Sequence, residues 1–236
     1  KNQSRINEIV KKGISVFSLE LLPRISRAQS MDALSSQASI AGYKSVLLAA
    51  NKMNKFFPML TTAAGTVRPA QTLIMGAGVA GLQAIATAKR LGSRVLAFDV
   101  RANSKEQIES LGAQFVDTGV SAEGEGGYAR ELNQEELDQQ KEILSKTIAA
   151  SDVVITTAQL FGRPAPQLID RDMIESMQPG SVIVDMAVET GGNVEGSVLN
   201  ETVEINGVKI IGQGNLPGEV ARNASEMYSN NLVNLL

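Results

Sequence analysis

From residue 71 onward, short apolar segments alternate with helical segments, and this alternation constrains the fold more than any other feature of the sequence. The segments that predict strands are 71–75, 94–98, 114–117, 152–157 and 181–187. The segments that predict helices are 79–91, 104–111, 134–150 and 170–177. Apolar strands separated by helices are typical of a parallel sheet that is covered on both faces. The sequence therefore predicts an α/β fold with a doubly wound parallel sheet.

The end of the chain continues this pattern with a hairpin and a helix. The segment "EINGVKII" (204–211) predicts a β-hairpin, because Asn206 and Gly207 form a residue pair that tight two-residue turns favour. A last helix is predicted over about 219–235.

The part of the chain before the alternation is less regular. A short helix is predicted over 3–12, and the alternating segment "ISVFSLELL" predicts a strand over 14–22. Ser26 and Gln29 have the spacing of a capping box, which predicts a long helix from Ser26 to about residue 50. The segment 51–70 contains two prolines, has no clear period and is interpreted as a boundary.

The composition excludes several classes of protein. The chain has 236 residues, a formal net charge of −3 and no run of apolar residues long enough to span a membrane. This mild acidity does not favour nucleic-acid binding. The absence of histidine and cysteine excludes Ser-His-Asp triads, histidine general bases, disulfides and most zinc sites, and no metal site is predicted. Because the sequence begins without Met or a signal peptide, we expect an excised fragment.

A glycine pattern follows the first strand of the alternation. In "IMGAGVAGLQAIATAKRLG", Gly76, Gly78 and Gly81 are spaced as G-x-G-x-x-G between a strand and a helix. In that context the glycines allow a tight turn, close approach of the backbone to a pyrophosphate, and close helix–strand packing. The free N–H groups of the helix start favour phosphate binding. The pattern predicts a Rossmann-type dinucleotide site, and a purely structural glycine turn is the alternative.

The second strand of the alternation ends in Asp99, 18 residues after Gly81. A carboxylate at this position accepts hydrogen bonds from the adenosine ribose and repels a 2′-phosphate. The sequence therefore predicts NAD(H), rather than NADP(H), as the cofactor. Arg101 is close enough in the sequence to weaken this preference slightly.

Polar residues gather at the start of the long helix, in "LLPRISRAQSMDALSSQ". They are Arg24, Arg27, Gln29, Asp32 and Ser35. A nicotinamide carboxamide needs both donors and acceptors, and this group offers both. Helix capping and a solvated charged turn are the alternative interpretations.

The fourth strand of the alternation ends in "TTAQLFGRPAP" (156–166). The carboxyl ends of parallel strands border the ligand crevice, so we expect Thr157, Ala158 and Gln159 to face a bound nicotinamide. An ordinary strand-to-helix loop is the alternative for each of them. The next strand end carries two carboxylates that we interpret as structural or peripheral, Asp185 and Glu189.

The segment "TGVSAEGEGGYARE" (118–131) interrupts the strand-and-helix pattern. It is rich in glycine and glutamate, so it has little apolar surface to bury and much backbone entropy to lose on folding. Either a surface insertion or a loop that moves for a purpose has this composition.

Five segments give the chain a specific resemblance to a known family. They are "ELLPRISRAQSMDALSSQ", "MGAGVAGLQAIATAKRLGSRVLAFDVR", "GGYA", "PGSVIVDMAVETGGN" and "NLVNLL". In this order, along nearly the whole chain, they resemble the NAD(H)-binding component of proton-translocating nicotinamide nucleotide transhydrogenases. The wider family includes alanine dehydrogenase, which lacks the long loop with "GGYA".

The resemblance implies an activity, cofactors and partners. Hydride would pass directly from NADH on this component to NADP⁺ on a separate component, coupled to proton translocation through a membrane-spanning component. A homodimer is implied, peripheral to the membrane on the cytoplasmic side in bacteria or the matrix side in mitochondria. Because the cofactors supply the reactive atoms, no general acid or base is required.

The resemblance also implies roles for individual residues. Segment 118–133 would be a mobile loop that closes over bound NAD(H) and brings Tyr128 toward the nucleotide. The residues with an implied catalytic role are Arg24, Gln29, Asp32 and Tyr128. Together with the positions named above, the residues expected to bind the cofactor are Gln29, Ser30, Met31, Asp32, Ser35, Gly76, Gly78, Val79, Gly81, Asp99, Val100, Arg101, Gly127, Tyr128, Thr157, Ala158 and Gln159.

The resemblance further implies three segments in the chain. Residues 1–32 would be the remnant of a first α/β domain, and 33–217 the Rossmann-type NAD(H)-binding domain with a linking helix. Residues 218–236 would form a closing helix that returns to the first domain. Gln159 departs from the apolar residue expected at that position, which would alter the pocket for the ring.

Two other functions remain as alternatives. The first is a stand-alone dehydrogenase of the alanine dehydrogenase type, but such an enzyme needs a histidine for its substrate and this chain has none. The second is a redox-sensing NAD-binding module that regulates a partner without hydride transfer.

Overall fold

The computed structural model describes residues 3–23, 25–101, 103–120, 132–159 and 162–236. The chain divides into two compact units. The smaller unit consists of Lys1–Gln37 and Ala221–Leu236, and the larger unit is Ala38–Val220. The domain limits inferred from the sequence stay a prediction.

The described residues contain strands of two sheets and seven α-helices. The strands are β1 (Leu60–Thr62), β2 (Gly65–Val67), β3 (Gln71–Met75), β4 (Arg94–Phe98), β5 (Gln114–Phe115), β6 (Val153–Thr156), β7 (Val182–Asp185), β8 (Thr202–Ile205) and β9 (Val208–Ile211). The helices are α1 (Gln3–Lys11), α2 (Ala33–Lys52), α3 (Val79–Arg90), α4 (Ser104–Ser110), α5 (Gln134–Ala149), α6 (Arg171–Glu175) and α7 (Ala221–Leu235).

The larger unit is built on a seven-stranded sheet with the order β5-β4-β3-β6-β7-β9-β8. All neighbouring strands are parallel except β8, which pairs antiparallel with β9 as the predicted hairpin. The first six strands of this order follow the doubly wound order 3-2-1-4-5-6 of the Rossmann fold. The predicted fold class is therefore confirmed.

Alternate residues of the strands pack into two apolar cores, one on each face of the sheet. On one face, Ile74 and Ile155 pack with Ile85 of α3. On the other face, Leu73 and Val154 pack with residues of α5 and α6. These strand side chains are fully buried, and each contributes about 1.5–3 kcal/mol relative to an exposed position. Burial on both faces explains why the strands are apolar throughout rather than alternating.

The predicted strand over 14–22 is wrong. The structure has no regular element over 14–18, followed by a short 3-10 turn at Leu19–Leu21. A strand is stable only beside a partner that accepts its hydrogen bonds, and the described residues of the smaller unit contain no other strand. The side chains of Phe17 and Leu21 are accordingly exposed.

The predicted start of the long helix at Ser26 is also wrong. Residues Ser26–Met31 form a 3-10 turn, and α2 begins at Ala33. The carboxylate of Asp32 accepts hydrogen bonds from the backbone N–H of Ser35 at 2.9 Å and from its hydroxyl at 2.6 Å. These contacts satisfy a free N–H group of the first turn, so Asp32, rather than Ser26, caps the helix.

The segment predicted to be irregular contains a small antiparallel hairpin, formed by β1 and β2. Its strands are only three residues long and fully outside the core, so they have no apolar alternation to predict them. Among the residues described, no helix combines the length and apolar character needed to cross a membrane.

Candidate nucleotide-binding site

The chain leaves β3 at the point where the strand order of the sheet reverses. β3 pairs with β4 on one side and with β6 on the other, so its two neighbours are reached by connections that leave in opposite directions. The last residues of four strands form one row across the carboxyl edge, which consists of Phe98, Met75, Thr156 and Asp185. In open α/β sheets, ligands bind in the crevice at such a switch point.

The glycine loop that follows β3 needs two of its glycines for packing. Gly76 has φ 108°, a left-handed conformation that favours glycine, and its N–H donates to the carbonyl of Phe98 at 2.8 Å. A Cβ atom on Gly76 would overlap the hydroxyl of Thr157. A Cβ atom on Gly81 would overlap the carbonyl oxygen of Gly76. Both glycines therefore allow the loop, α3 and the end of β6 to pack closely.

Gly78 differs from these two glycines because it borders open space. A Cβ atom at Gly78 would meet nothing within 4 Å, and its backbone, at φ −77° and ψ −171°, suits any residue. Gly78 precedes the first residue of α3, and no side chain caps that helix start. The first N–H groups of α3 therefore lack a side-chain partner beside an open surface. Such groups with a positive dipole end fit an anionic phosphate.

Asp99 lies directly after β4 and is 8% exposed. Its Oδ2 atom accepts a hydrogen bond of 2.7 Å from the N–H of Ala77, inside the glycine loop. The Arg101 guanidinium donates to Oδ1 at 2.8 Å and to Oδ2 at 2.9 Å, and the Arg101 N–H donates to Oδ1 at 2.9 Å. These four donors match the hydrogen-bonding capacity of one carboxylate. A ribose hydroxyl must therefore displace or share one of them.

The charge of Asp99 is set by opposing effects. Burial raises the pKa of Asp99, whereas hydrogen bonds from Arg101 and from the Ala77 backbone lower it. The net result is a pKa below the ordinary value, so Asp99 is ionised at neutral pH. The same ion pair raises the pKa of Arg101. The site for the ribose thus holds a fixed carboxylate beside a fixed guanidinium.

The segment after β6 lies against the glycine loop. The Thr157 hydroxyl lies 3.2 Å from the carbonyl of Met75, so it donates to the backbone just before the glycine loop. Ala158 has its N–H and its carbonyl paired with the side chain of Asn193. Gln159 donates from Nε2 to the carbonyl of Met186 at 3.0 Å. The structure therefore brings this segment and the glycine loop together at one edge of the sheet.

The sequence interpretation does not include Asn193 among the site residues. It lies eight residues after Asp185 and is fully buried, and its side chain joins the ends of β6 and β7. Asp185 is interpreted from the sequence as structural or peripheral, and its carboxylate accepts only from groups near the strand ends. A polar residue after the paired glycines 191–192 is the available signal, because both glycines have positive φ and form a sharp turn.

The polar group near the start of α2 belongs to the smaller unit. Gln29, Ser30 and Met31 lie in the 3-10 turn before α2, whereas Asp32 and Ser35 are bonded to each other. Asn231 of α7 donates to the Ser30 carbonyl at 2.8 Å and fastens this turn. Capping, one of the two alternative interpretations of this group, therefore explains some of its polarity.

The remaining predicted positions are placed as follows. Val79 begins α3 and is exposed, and Val100 is half-buried against the core under α5. Arg24, Gly127 and Tyr128 lie outside the described residues.

A cavity of about 300 Å³ lies between α5 and α6, and its lining includes the ion pair of Lys141 and Asp170 at 2.6 Å. None of the predicted site residues lines it. The crevice at the glycine loop is therefore identified by its backbone donors and by Asp99, not by the depth of a cavity.

Comparison with known families supports this geometry. Residues 45–236 match the family described as alanine dehydrogenase/PNT, C-terminal domain. The chain belongs to that family. The resemblance inferred from the five sequence segments is confirmed.

Members of the family differ in their similarity to this chain. An NAD(P) transhydrogenase subunit alpha of Rickettsia prowazekii, in its first piece, is 50% identical, with 100% of this chain and 62% of that protein covered. A crystal structure of transhydrogenase from Sinorhizobium meliloti is 49% identical with a TM-score of 0.89, covering 100% of this chain and 64% of that one. An alanine dehydrogenase of Methanococcus maripaludis is 28% identical, with 92% of this chain and 54% of that protein covered.

The chain therefore spans about three fifths of the length of these two transhydrogenase relatives. Within this alanine dehydrogenase/PNT domain, the described residues fit a dinucleotide in two respects. The start of α3 has uncapped N–H groups and free space at Gly78, and Asp99 is an ionised acceptor at the next strand end. Backbone donors and a carboxylate are the groups that a pyrophosphate and a ribose require.

Proposed function

We propose that this chain is the NAD(H)-binding component of a proton-translocating nicotinamide nucleotide transhydrogenase. The observation that carries the proposal is the hydrogen bond between Asp99 and Ala77, which joins the acceptor for the ribose to the glycine loop for the phosphates. The 50% identity to a protein named as an NAD(P) transhydrogenase subunit alpha supports a transhydrogenase over other dinucleotide enzymes.

The adenosine and phosphate moieties of the cofactor would bind to the larger unit. The first N–H groups of α3 donate to the pyrophosphate, and Gly78 leaves the space that this approach needs. Asp99 accepts from the ribose hydroxyls, with Val79 and Val100 beside the nucleotide. Because Asp99 is anionic, a 2′-phosphate at this position is repelled, and the chain selects NAD(H) over NADP(H).

The nicotinamide end would depend on further residues. Thr157, Ala158 and Gln159 border the ring at the end of β6, and Gln159 keeps a polar amide where an apolar residue is expected. Among the first polar group, Gln29 and Asp32 would orient the dihydronicotinamide. The remaining residues proposed for this end are Arg24, Ser30, Met31 and Ser35, together with Gly127 and Tyr128 of the closing loop.

Bound NADH supplies the hydride, and NADP⁺ on a partner component accepts it. The protein contributes orientation and the exclusion of water, which lower the barrier without proton transfer by a side chain. This fits a chain that has no histidine. Proton translocation would reside in a membrane-spanning component, and this component would act as a homodimer at the cytoplasmic or matrix side of that membrane.

The test has two stages. Titration of the chain with NADH and with NADPH, followed by nucleotide fluorescence, should give selective NADH binding. A hydride-transfer assay with an NADP(H)-binding component should then give NADPH from NADH and NADP⁺. Equal affinity for both nucleotides would contradict the role of Asp99, and NADH binding without transfer would favour a sensing module.

One observation favours a second candidate, the 28% identity to alanine dehydrogenases over most of the chain. Oxidation of L-alanine with NAD⁺ by the purified chain would establish that activity and overturn the transhydrogenase proposal.

A further inference from the structure

The side chain of Asn193 holds the segment that follows β6. Its Nδ2 atom donates to the carbonyl of Ala158 at 2.9 Å and to the carbonyl of Pro166 at 2.7 Å. Its Oδ1 atom accepts from the N–H of Ala158 at 3.1 Å. One fully buried amide therefore pairs with both backbone polar groups of Ala158. Because these bonds cross 35 positions of sequence, they join two loops that the strands alone do not connect.

The carboxylate of Asp185 holds Asn193 in turn. It is fully buried, and it accepts from the N–H of Asn193 at 3.0 Å and from the N–H of Ala187 at 3.0 Å. The N–H of Val194 donates to it at 3.3 Å, and so does the hydroxyl of Thr156, at the same distance. A buried carboxylate with several backbone donors rigidifies the turn that contains them. Asp185 thereby fixes the backbone from which Asn193 reaches Ala158.

Ala158 lies beside the glycine loop. A Cβ atom on Gly76 would overlap the Thr157 hydroxyl and would lie 3.6 Å from the nitrogen of Ala158. The N–H of Thr157 donates to the carbonyl of Met75 at 2.9 Å. The backbone held by Asn193 is therefore in van der Waals range of the loop proposed to bind the phosphates.

We propose that Asn193 and Asp185 are positioning residues for the nicotinamide end of the cofactor, acting through the backbone of Ala158. Since the N–H and carbonyl of Ala158 are already paired, this segment presents a rigid wall to the ring and donates no hydrogen bond to the carboxamide. The inference rests on the proposed function, because it assumes that a dinucleotide occupies the crevice. It assigns to the Asp185–Asn193 pair a role in ring binding, not in binding of the adenosine half.

A purely structural role for this pair makes a different prediction. Loss of a buried hydrogen-bond network that only stabilises the fold would weaken all ligands alike, or none. Loss of a ring-positioning network would weaken a ligand that has the ring and spare one that lacks it. ADP-ribose contains the adenosine, pyrophosphate and second ribose of NADH but not the nicotinamide, so the two ligands separate these roles.

The experiment is calorimetric titration of the full chain with NADH and with ADP-ribose, for the wild type and for Asn193→Ala. The variant removes all three side-chain hydrogen bonds and adds no bulk. We expect the Kd for NADH to rise about tenfold, whereas the Kd for ADP-ribose changes less than about twofold. An equal change for both ligands, or no change for either, would overturn the proposal.

Two isosteric variants provide a matched comparison. Thr156→Val removes the hydroxyl bonded to Asp185 at the carboxyl edge of the sheet, and Thr72→Val removes one bonded to Ser93 at 2.6 Å at the amino edge. Both threonines are fully buried. Thr156→Val should weaken NADH about threefold and leave ADP-ribose unchanged, whereas Thr72→Val should affect neither ligand. If Asn193→Ala does not fold, this pair decides, and equal effects of the two variants refute the positioning role.

The wild-type titrations separate this inference from the function on which it rests. Binding of neither ligand would overturn the proposed function itself. Equal affinity of the wild type for NADH and ADP-ribose would show that the ring adds nothing, which overturns the positioning role and leaves nucleotide binding in place.

Discussion

The carboxylate of Asp99 accepts a hydrogen bond of 2.7 Å from the N–H of Ala77, across 22 positions of sequence. The bond joins the end of β4 to the loop that follows β3, which are neighbouring strands in the sheet. One buried side chain therefore fixes the shape of the glycine loop and also presents the acceptor expected for a ribose. Loop geometry and nucleotide choice are coupled through this residue.

Replacement of Asp99 by asparagine should weaken NADH binding. Asp99→Asn keeps the size of the side chain but removes the ion pair with Arg101 and one acceptor, so we expect about a tenfold rise in Kd. Fluorescence titration with NADH measures it. Asp152→Asn is the matched control, because Asp152 also accepts from a backbone N–H, that of Gln71, and from a lysine, Lys55, each at 2.8 Å. An Asp99→Asn protein that binds NADH as tightly as the control would contradict the assignment.

The same carboxylate should make the folded state sensitive to acid. Burial raises the pKa of Asp99, but Arg101 and backbone donors lower it further, so the folded-state pKa is below the unfolded one. The stabilisation is fully present above the unfolded value of about 3.9 and is lost as the pH falls through the folded pKa. Urea unfolding at a series of pH values below about 4 measures this, and the slope of stability against pH should be smaller in Asp99→Asn. Identical slopes in the two proteins would refute this prediction.

Two glycines of the loop should respond oppositely to alanine. Gly78→Ala meets open space with an allowed backbone, so we expect an unchanged or slightly higher Tm together with weaker NADH binding, because the methyl group occupies space needed by the phosphates. Gly81→Ala would overlap the carbonyl of Gly76, and we expect a loss of about 1–3 kcal/mol in the free energy of unfolding. Thermal unfolding and NADH titration of both variants measure the two effects. Normal NADH affinity in Gly78→Ala would argue against phosphate binding at the start of α3.

Gly42 should be required for the packing of α2 on α3. A Cβ atom on Gly42 would overlap the carbonyl oxygen of Ala80, so Gly42→Ala forces the helices apart and should cost about 1–3 kcal/mol. Chemical unfolding measures the change. Gly13→Ala is the comparison, because a Cβ atom there meets nothing within 4 Å; its cost should come only from the backbone at φ 71°. Equal stability of Gly42→Ala and the wild type would mean that α2 and α3 can separate without loss.

The elements near the sheet were predictable because their signals are local. The segment "QTLIM" forms β3 and "RVLAF" forms β4, since each is a short apolar run of the length a buried strand needs. Asn133 and Glu136 form a capping box that starts α5 close to the predicted position. The apparent strand over 14–22 has a similar local pattern but no partner among the described residues of its unit, and pattern alone cannot supply one.

Several residues of the candidate site were predictable for the same reason. Gly76, Gly78 and Gly81 are recognisable by spacing, and Asp99 by its place at the end of the following strand. The sequence does not reveal that Arg101 occupies the carboxylate of Asp99 through its guanidinium. The position of Arg101 in the sequence allows this contact, but the direction of its side chain depends on what surrounds it.

By itself, the sequence determined the α/β alternation, the glycine loop and the acidic residue that follows the second strand. These features depend on residue period, on backbone freedom and on spacing along a short segment. Only the tertiary structure decided that Asn193 pairs with Ala158, 35 positions away, and that Asp185 holds it there. The strand register and the crossovers between parallel strands bring these groups to within about 3 Å of each other, and no local pattern encodes such a meeting.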